Sequence, residues 1–186
     1  MMAITRLIVS VALVVLCTRA LAGTVALESP LPVLSIAERG ELTMSNDDFT
    51  FIPWRSDANL GKVQVFQYFG ATMSDSKIFE PFTNLLQTSF EPDTIHVTTV
   101  LNLDAAMWGT TGFVISELEK NKRQHPTSTM VIDDEGTGVA QWDLGETGSG
   151  LIITDGKGIV KYFTRQAMTE EDMAAALALL QAGQGS

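Results

Sequence analysis

The chain has 186 residues with 45% hydrophobic and 18% charged side chains, and 12 Lys plus Arg stand against 22 Asp plus Glu for a net charge of −10. That composition excludes a disordered polymer, a collagen-like repeat and a polytopic membrane protein. A single Cys excludes a disulfide framework and a four-cysteine zinc site, and two His argue against a multi-histidine metal centre.

Residues 1 to 22 read as a secretory leader. Arg6 supplies the positive start, and Leu7 to Cys17 is apolar but shorter than the ~20 residues that cross a bilayer. Ala20-Leu21-Ala22 places small residues for cleavage before Gly23. The alternative is an uncleaved anchor helix. Leu16 precedes Cys17, which argues against lipidation. Cleavage would remove Arg6, Arg19 and Cys17, leaving a thiol-free chain at −12. The expected location is the periplasm, with no stable membrane insertion after cleavage. Such acidity makes a poor nucleic-acid binder, since phosphate recognition needs clustered cations.

The rest of the chain reads as one domain, 23–186, of alternating strands and helices, an α/β class. Val33 to Ile36 and Glu41 to Met44 suggest a hairpin turning at Glu38-Arg39-Gly40. Asn59 to Lys62 is a turn before the apolar strand Val63–Phe69. The spacing of Ile78, Phe82, Leu85 and Leu86 predicts a helix from about Ser74 to Ser89, kinked by Pro81 inside it. Ile95–Leu101 is a second buried strand. Thr110 or Thr111 opens a helix to about Gln124, with Val114 and Leu118 inward and Lys120, Lys122 and Arg123 in a solvated last turn. Thr129–Asp133 is a third strand, and Asp133-Asp134-Glu135-Gly136 is a solvated acidic turn rather than a metal loop. Val139–Leu144 reads as short and extended. Leu151–Thr154 and Ile159–Phe163 form a hairpin, and Thr169 caps a last helix with stripe Met173, Ala176, Leu177 and Leu180.

The run from Val63 through Pro81 resembles the thioredoxin active-site segment, in which an aromatic-ended strand leads into Cys-x-x-Cys, a Lys and a helix-kinking Pro. Lys77 and Pro81 align, and the dithiol slot falls on Met73, Ser74, Asp75 and Ser76. The hairpins at both ends of the domain resemble those of peroxiredoxin-type and TlpA-type relatives. More closely, the chain is similar to the YtfJ family of bacterial periplasmic proteins. The similarity rests on Arg39-Gly40-Glu41-Leu42, Gly61-Lys62-Val63, Asn102-x-Asp104, Gly112-Phe113-Val114, Glu119-x-Asn121-Lys122, Val131-Ile132-Asp133, Trp142-x-Leu144 and the Asp155-Gly156 hairpin. This resemblance implies a thioredoxin-like three-layer sandwich with a central mixed sheet and an N-terminal β-hairpin extension. It also brings a family label of transcriptional regulator, at odds with the leader and the acidity.

Dithiol chemistry needs an activated thiolate and a resolving thiol. Met73 forms no thiolate, and the Ser76 alcohol replaces no thiol. Dithiol oxidoreductase and peroxidase activities are therefore expected to be absent, with no catalytic residue and no cofactor assigned. The stretch Glu146 to Gly150 lacks the proline that thioredoxin relatives carry beside the active site.

Loops at the carboxyl ends of parallel strands form the usual crevice of open α/β sheets. Asn102, Asp104, Trp108 and Ser149 are expected to line one there with Met73 to Ser76. Plain turn and capping chemistry with a packed Trp is the alternative. The expected function is non-redox binding of a periplasmic protein or small ligand. A thiol-independent enzyme using Asn102, Asp104 and Ser76 stands second. Neither His96 nor His125 is spaced for a triad with Ser76.

Overall fold

The structure, a computed structural model, describes residues 23–183. The expected leader with Cys17 lies outside the described residues, as do residues 184–186.

The centre of the fold is the run the sequence makes most apolar. Gln64–Gly70 forms β3, buried at every position, as expected of a strand covered on both faces. Around it are β1 (Ser35–Ser45), β2 (Asp48–Arg55), β4 (His96–Asn102), β5 (Thr129–Asp133), β6 (Gly150–Thr154) and β7 (Val160–Thr164). One seven-stranded sheet results, in the order β2-β1-β5-β4-β3-β6-β7. Strands β3, β4 and β5 are parallel, and the remaining pairs are antiparallel.

The helices are α1 (Glu80–Ser89), α2 (Thr111–Gln124), α3 (Thr137–Gln141) and α4 (Glu170–Gly183). Val65 and Ile153 meet Phe82 and Leu86 of α1 and Ala176 and Leu180 of α4. Leu118 of α2 packs on Met130 and Ile132. The opposite face, carrying Phe66, Tyr68, Val100 and Val131, is covered by Leu34, Trp54 and Trp142. Trp142 stands edge-on to Phe66 and Tyr68, and its indole N–H donates to Pro32 O at 2.8 Å, tying the N-terminal segment across that face. The layers are helices, mixed sheet, and a thinner cover of α3 and chain segments.

Several local expectations are corrected. The N-terminal hairpin turns at Asn46 and Asp47, both with positive φ, and not at Arg39-Gly40. Arg39 and Gly40 instead form a bulge inside β1, also with positive φ, between the pairs Ile36↔Trp54 and Glu41↔Ile52. The bulge places Arg39 Nε 2.8 Å from Asp134 Oδ2. Its return arm, β2, is an edge strand, and Pro53 sits in it because an edge position needs no ladder donor.

Pro81 does not kink a helix. The segment before it is a 3-10 turn over Asp75–Lys77, and Pro81 lies in the first turn of α1, where N–H groups lack helical partners anyway. Val139 to Gln141 is helical rather than extended, since Asp133 accepts the N–H groups of Thr137 and Gly138 and so starts α3. Lys122 is buried at 6% exposure, donating to Ser128 O at 2.7 Å. Burial pushes its ammonium down from the usual lysine range, and the Glu41 charge pulls it back up.

Candidate functional site

Strands β3, β4 and β5 end in register at Gly70, Asn102 and Asp133. The loops that follow them meet. Ala71 N–H donates to Asn102 O at 2.9 Å, and Leu103 N–H donates to Asp133 O at 2.9 Å. Gly70 has no room for a side chain, being pressed between the Asp75 carboxylate and Ala105.

The Met73 to Ser76 slot opens the 3-10 turn after β3. Neither serine caps it. Thr72 Oγ1 accepts the Asp75 N–H at 3.1 Å and contacts Ser74 Oγ at 3.0 Å. Ser76 Oγ donates to Met73 O at 3.2 Å. Among the described residues, no histidine hydrogen-bonds that hydroxyl. His96 begins β4 and Asn102 ends it, roughly 20 Å apart along an extended strand. His125 follows the last turn of α2, the end away from this site.

The expected crevice residues are divided. Asn102 is buried and its Oδ1 accepts the Asp104 N–H at 3.0 Å, an Asx turn that shapes the loop. Ser149 is buried, with its hydroxyl donating to Thr147 O at 3.3 Å. Asp104 is exposed. Trp108 is not packed at all, at 101% exposure. Met73 is 72% exposed, Met107 74% and Phe113, in the first turn of α2, 60%. These four form an apolar display on two adjoining loops and the helix that continues one of them. Full burial of a Met or Phe side chain contributes roughly 1.5–3 kcal/mol, most of which this fold does not collect here. Trp108 and Met73 among them are expected at this crevice from sequence; Met107 is not, and Phe113 enters only through the Gly112-Phe113-Val114 piece of the family resemblance.

On the α3 face of the sheet, at the end of β5, lies a buried polar anchor. Asp133 Oδ2 accepts the Tyr68 hydroxyl and the Gly138 N–H, each at 2.8 Å, and Oδ1 accepts the Thr137 N–H at 3.0 Å. Burial, followed by the charge and hydrogen bond of Asp133, raises the Tyr68 phenol well above its usual range. Asp133 is therefore no exposed acidic turn but the buried support of α3.

A concavity of about 530 Å³ lies at the other end of the sheet between Gly61, Gly156 and the last turn of α4. It is remote from the slot and has no part in its chemistry.

A mixed sheet of this order, with the helix-opening slot after a buried central strand, defines a thioredoxin-like fold. Solved structures share it at sequence identities that support the fold alone. A candidate thiol:disulfide interchange protein DsbE from Chlorobium tepidum superposes with a TM-score of 0.60 at 15% identity, covering 87% of this chain and 100% of that one. A thioredoxin-like superfamily protein superposes at 0.54 with 16% identity, covering 81% and 98%.

The chain belongs to the YtfJ family: residues 25–183 match the model of a bacterial protein of unknown function (YtfJ_HI0045). It is 32% identical over 152 residues to the uncharacterized protein YtfJ of Escherichia coli (strain K12), covering 81% of this chain and 83% of that protein. Neither description refers to transcription, so the regulator label finds no support.

Proposed function

We propose that the protein is exported by residues 1–22, cut before Gly23, and acts in the periplasm as a non-redox interaction protein. Its docking face is the display of Met73, Met107, Trp108 and Phe113. The observation that carries this reading is the full exposure of Trp108 and the exposure of its neighbour Met107 on the loop that adjoins the Met73–Ser76 slot, where Met73 is exposed as well. Large amphipathic and soft apolar side chains are the residues interfaces use most, and a Trp anchors them well. Met73 to Ser76 supply no sulfur nucleophile, so the retained scaffold presents a surface rather than a reaction. A chain at −12 after cleavage recruits no nucleic acid, and the reading needs neither a cofactor nor membrane insertion.

Purified protein is expected to reduce insulin disulfides and consume peroxide no faster than buffer. Turnover above a no-protein control would overturn the non-redox reading. Trp108→Ala is expected to fold as the parent does, because the side chain touches little, while losing retention of the partner.

A further inference from the structure

Five buried side-chain polar atoms find no hydrogen-bond partner among the described residues: Trp54 Nε1, Gln64 Oε1, Gln67 Nε2, Thr98 Oγ1 and Thr154 Oγ1. Buried polar atoms are nearly always paired, and leaving one unpaired costs roughly 1–3 kcal/mol. Gln67 turns toward α1, where its Oε1 accepts Thr83 Oγ1. The other four belong to the opposite face of the sheet. Gln64 shares a face of β3 with Phe66, Thr154 lies directly across from Gln64 on β6, and Thr98 lies across from Phe66 on β4. Trp54 packs edge-on against Phe66. This is a local concentration of unmet hydrogen-bonding capacity in one corner of the fold.

A cavity of about 180 Å³ stands over that corner, lined by Gln64, Thr154, Ser56, Phe66, Leu31 and Leu60 among others. A single water needs only about 10–15 Å³ of such space. Gln64 and Thr154 are 1% and 0% exposed. Ser56 Oγ accepts the Leu34 N–H at 2.9 Å and keeps its own proton to give. The lining carboxylate, Asp57, is already held by the Arg55 guanidinium at 2.8 and 2.9 Å. Lys157, the lining cation, is exposed to solvent. One wall is thus formed by neutral polar residues, Gln64, Thr154 and Ser56, with the Gln64 Oε1 and Thr154 Oγ1 atoms lying unpaired just behind the cavity surface. The other is apolar, formed by Phe66, Leu31 and Leu60. A cation would lose its hydration with no free carboxylate to meet it, and an anion would meet only the solvated Lys157 ammonium, so a charged ligand gains little for a costly desolvation.

We propose that this cavity binds a small neutral polyhydroxylated molecule, a polyol or a monosaccharide-like ring. Its hydroxyls donate to Gln64 Oε1 and exchange hydrogen bonds with Thr154 and Ser56, and its C–H face rests on Phe66 and Leu60. Gln64 Oε1 and Thr154 Oγ1 are sealed from solvent, so binding turns the Gln64 amide toward the cavity. One wall is the 56–60 loop, pinned to the sheet by Asn59 Nδ2 donating to His96 Nε2 at 2.9 Å. The site is at the amino ends of β3 and β4, opposite the docking face, and does not depend on it.

The test is a nitrogen-15 NMR titration of the purified full chain with glucose and glycerol, with acetate and methylammonium as charged controls. Glucose is expected to move the Gln64 side-chain amide and the backbone amides of Leu60 and Gly158 saturably, and the ions are expected to leave them in place. Gln64→Leu should weaken the effect about tenfold, the loss of one hydrogen bond. Thr154→Val, nearly isosteric, serves the same purpose if the first variant does not fold. No saturable shift with either polyol would overturn the proposal. So would equal shifts with the ions, or shifts that survive both substitutions.

Discussion

Asp133 holds Tyr68 and the start of α3 through three hydrogen bonds to one buried carboxylate. Asp133→Ala would strand a phenol and two N–H groups, and we expect it to cost about 2–4 kcal/mol in a urea denaturation series. Tyr68→Phe should cost less, about 1–2 kcal/mol, because the carboxylate keeps two partners. His96 gives a pH signature. Its Nε2 lies 2.9 Å from Asn59 Nδ2 and 3.0 Å from Thr129 Oγ1, and the amide contact requires an unprotonated nitrogen. Burial lowers its pKa, helped by the charges of Lys62 and Lys122 and opposed by Asp93. The unfolded chain, titrating near 6.5, therefore takes up a proton before the folded one does. Stability from this residue is complete above about pH 6.5 and is lost as pH falls from there toward the lower folded value. The urea midpoint should drop between about pH 7.5 and 5.5 in the parent and drop less in His96→Gln. Equal slopes would contradict this assignment.

At the scale of elements, Pro81 separates two accounts of α1. In a helix interior it would cost about 3 kcal/mol relative to Ala, whereas in the first turn it costs almost nothing. Pro81→Ala is expected to shift stability by less than about 1 kcal/mol and leave helix content by circular dichroism unchanged; a gain near 3 kcal/mol would place the proline inside the helix. The elements legible in the sequence were those whose burial pattern is complete within themselves. Strand β3 is apolar or buried throughout, and α4 carries its own Thr169–Asp172 cap, with Asp172 N–H donating to Thr169 Oγ1 at 3.1 Å. The illegible ones depend on distant partners. Strand β2 contains a proline and several exposed positions, so nothing local marks it as the arm that pairs with β1. Helix α3 is five residues long with a glycine in it, too short for a period, and is set by the Asp133 carboxylate.

Across the whole molecule, the two ends of the sheet hold different equipment. The amino ends of the parallel strands gather His96, Gln64 and the neutral cavity. The carboxyl ends gather the Met73–Ser76 slot and the exposed apolar side chains. Strand order and the Lys77–Pro81 spacing were enough to bring the Met73–Ser76 and Asn102–Trp108 loops to the same end, because loops at carboxyl ends are fixed by topology. They could not say which loop residues point outward: Asn102 and Ser149 turn inward to satisfy backbone groups, and Met107 and Phe113 turn out. The most direct test of the interaction reading is site-specific photo-crosslinking in living cells, with the photoreactive residue at Met107 and, as a control, at exposed Glu171. The account predicts one protein adduct of defined mass from position 107, absent from 171 and abolished by Trp108→Ala. Adducts of the same mass from both positions, or one from 107 that survives the loss of Trp108, would contradict it.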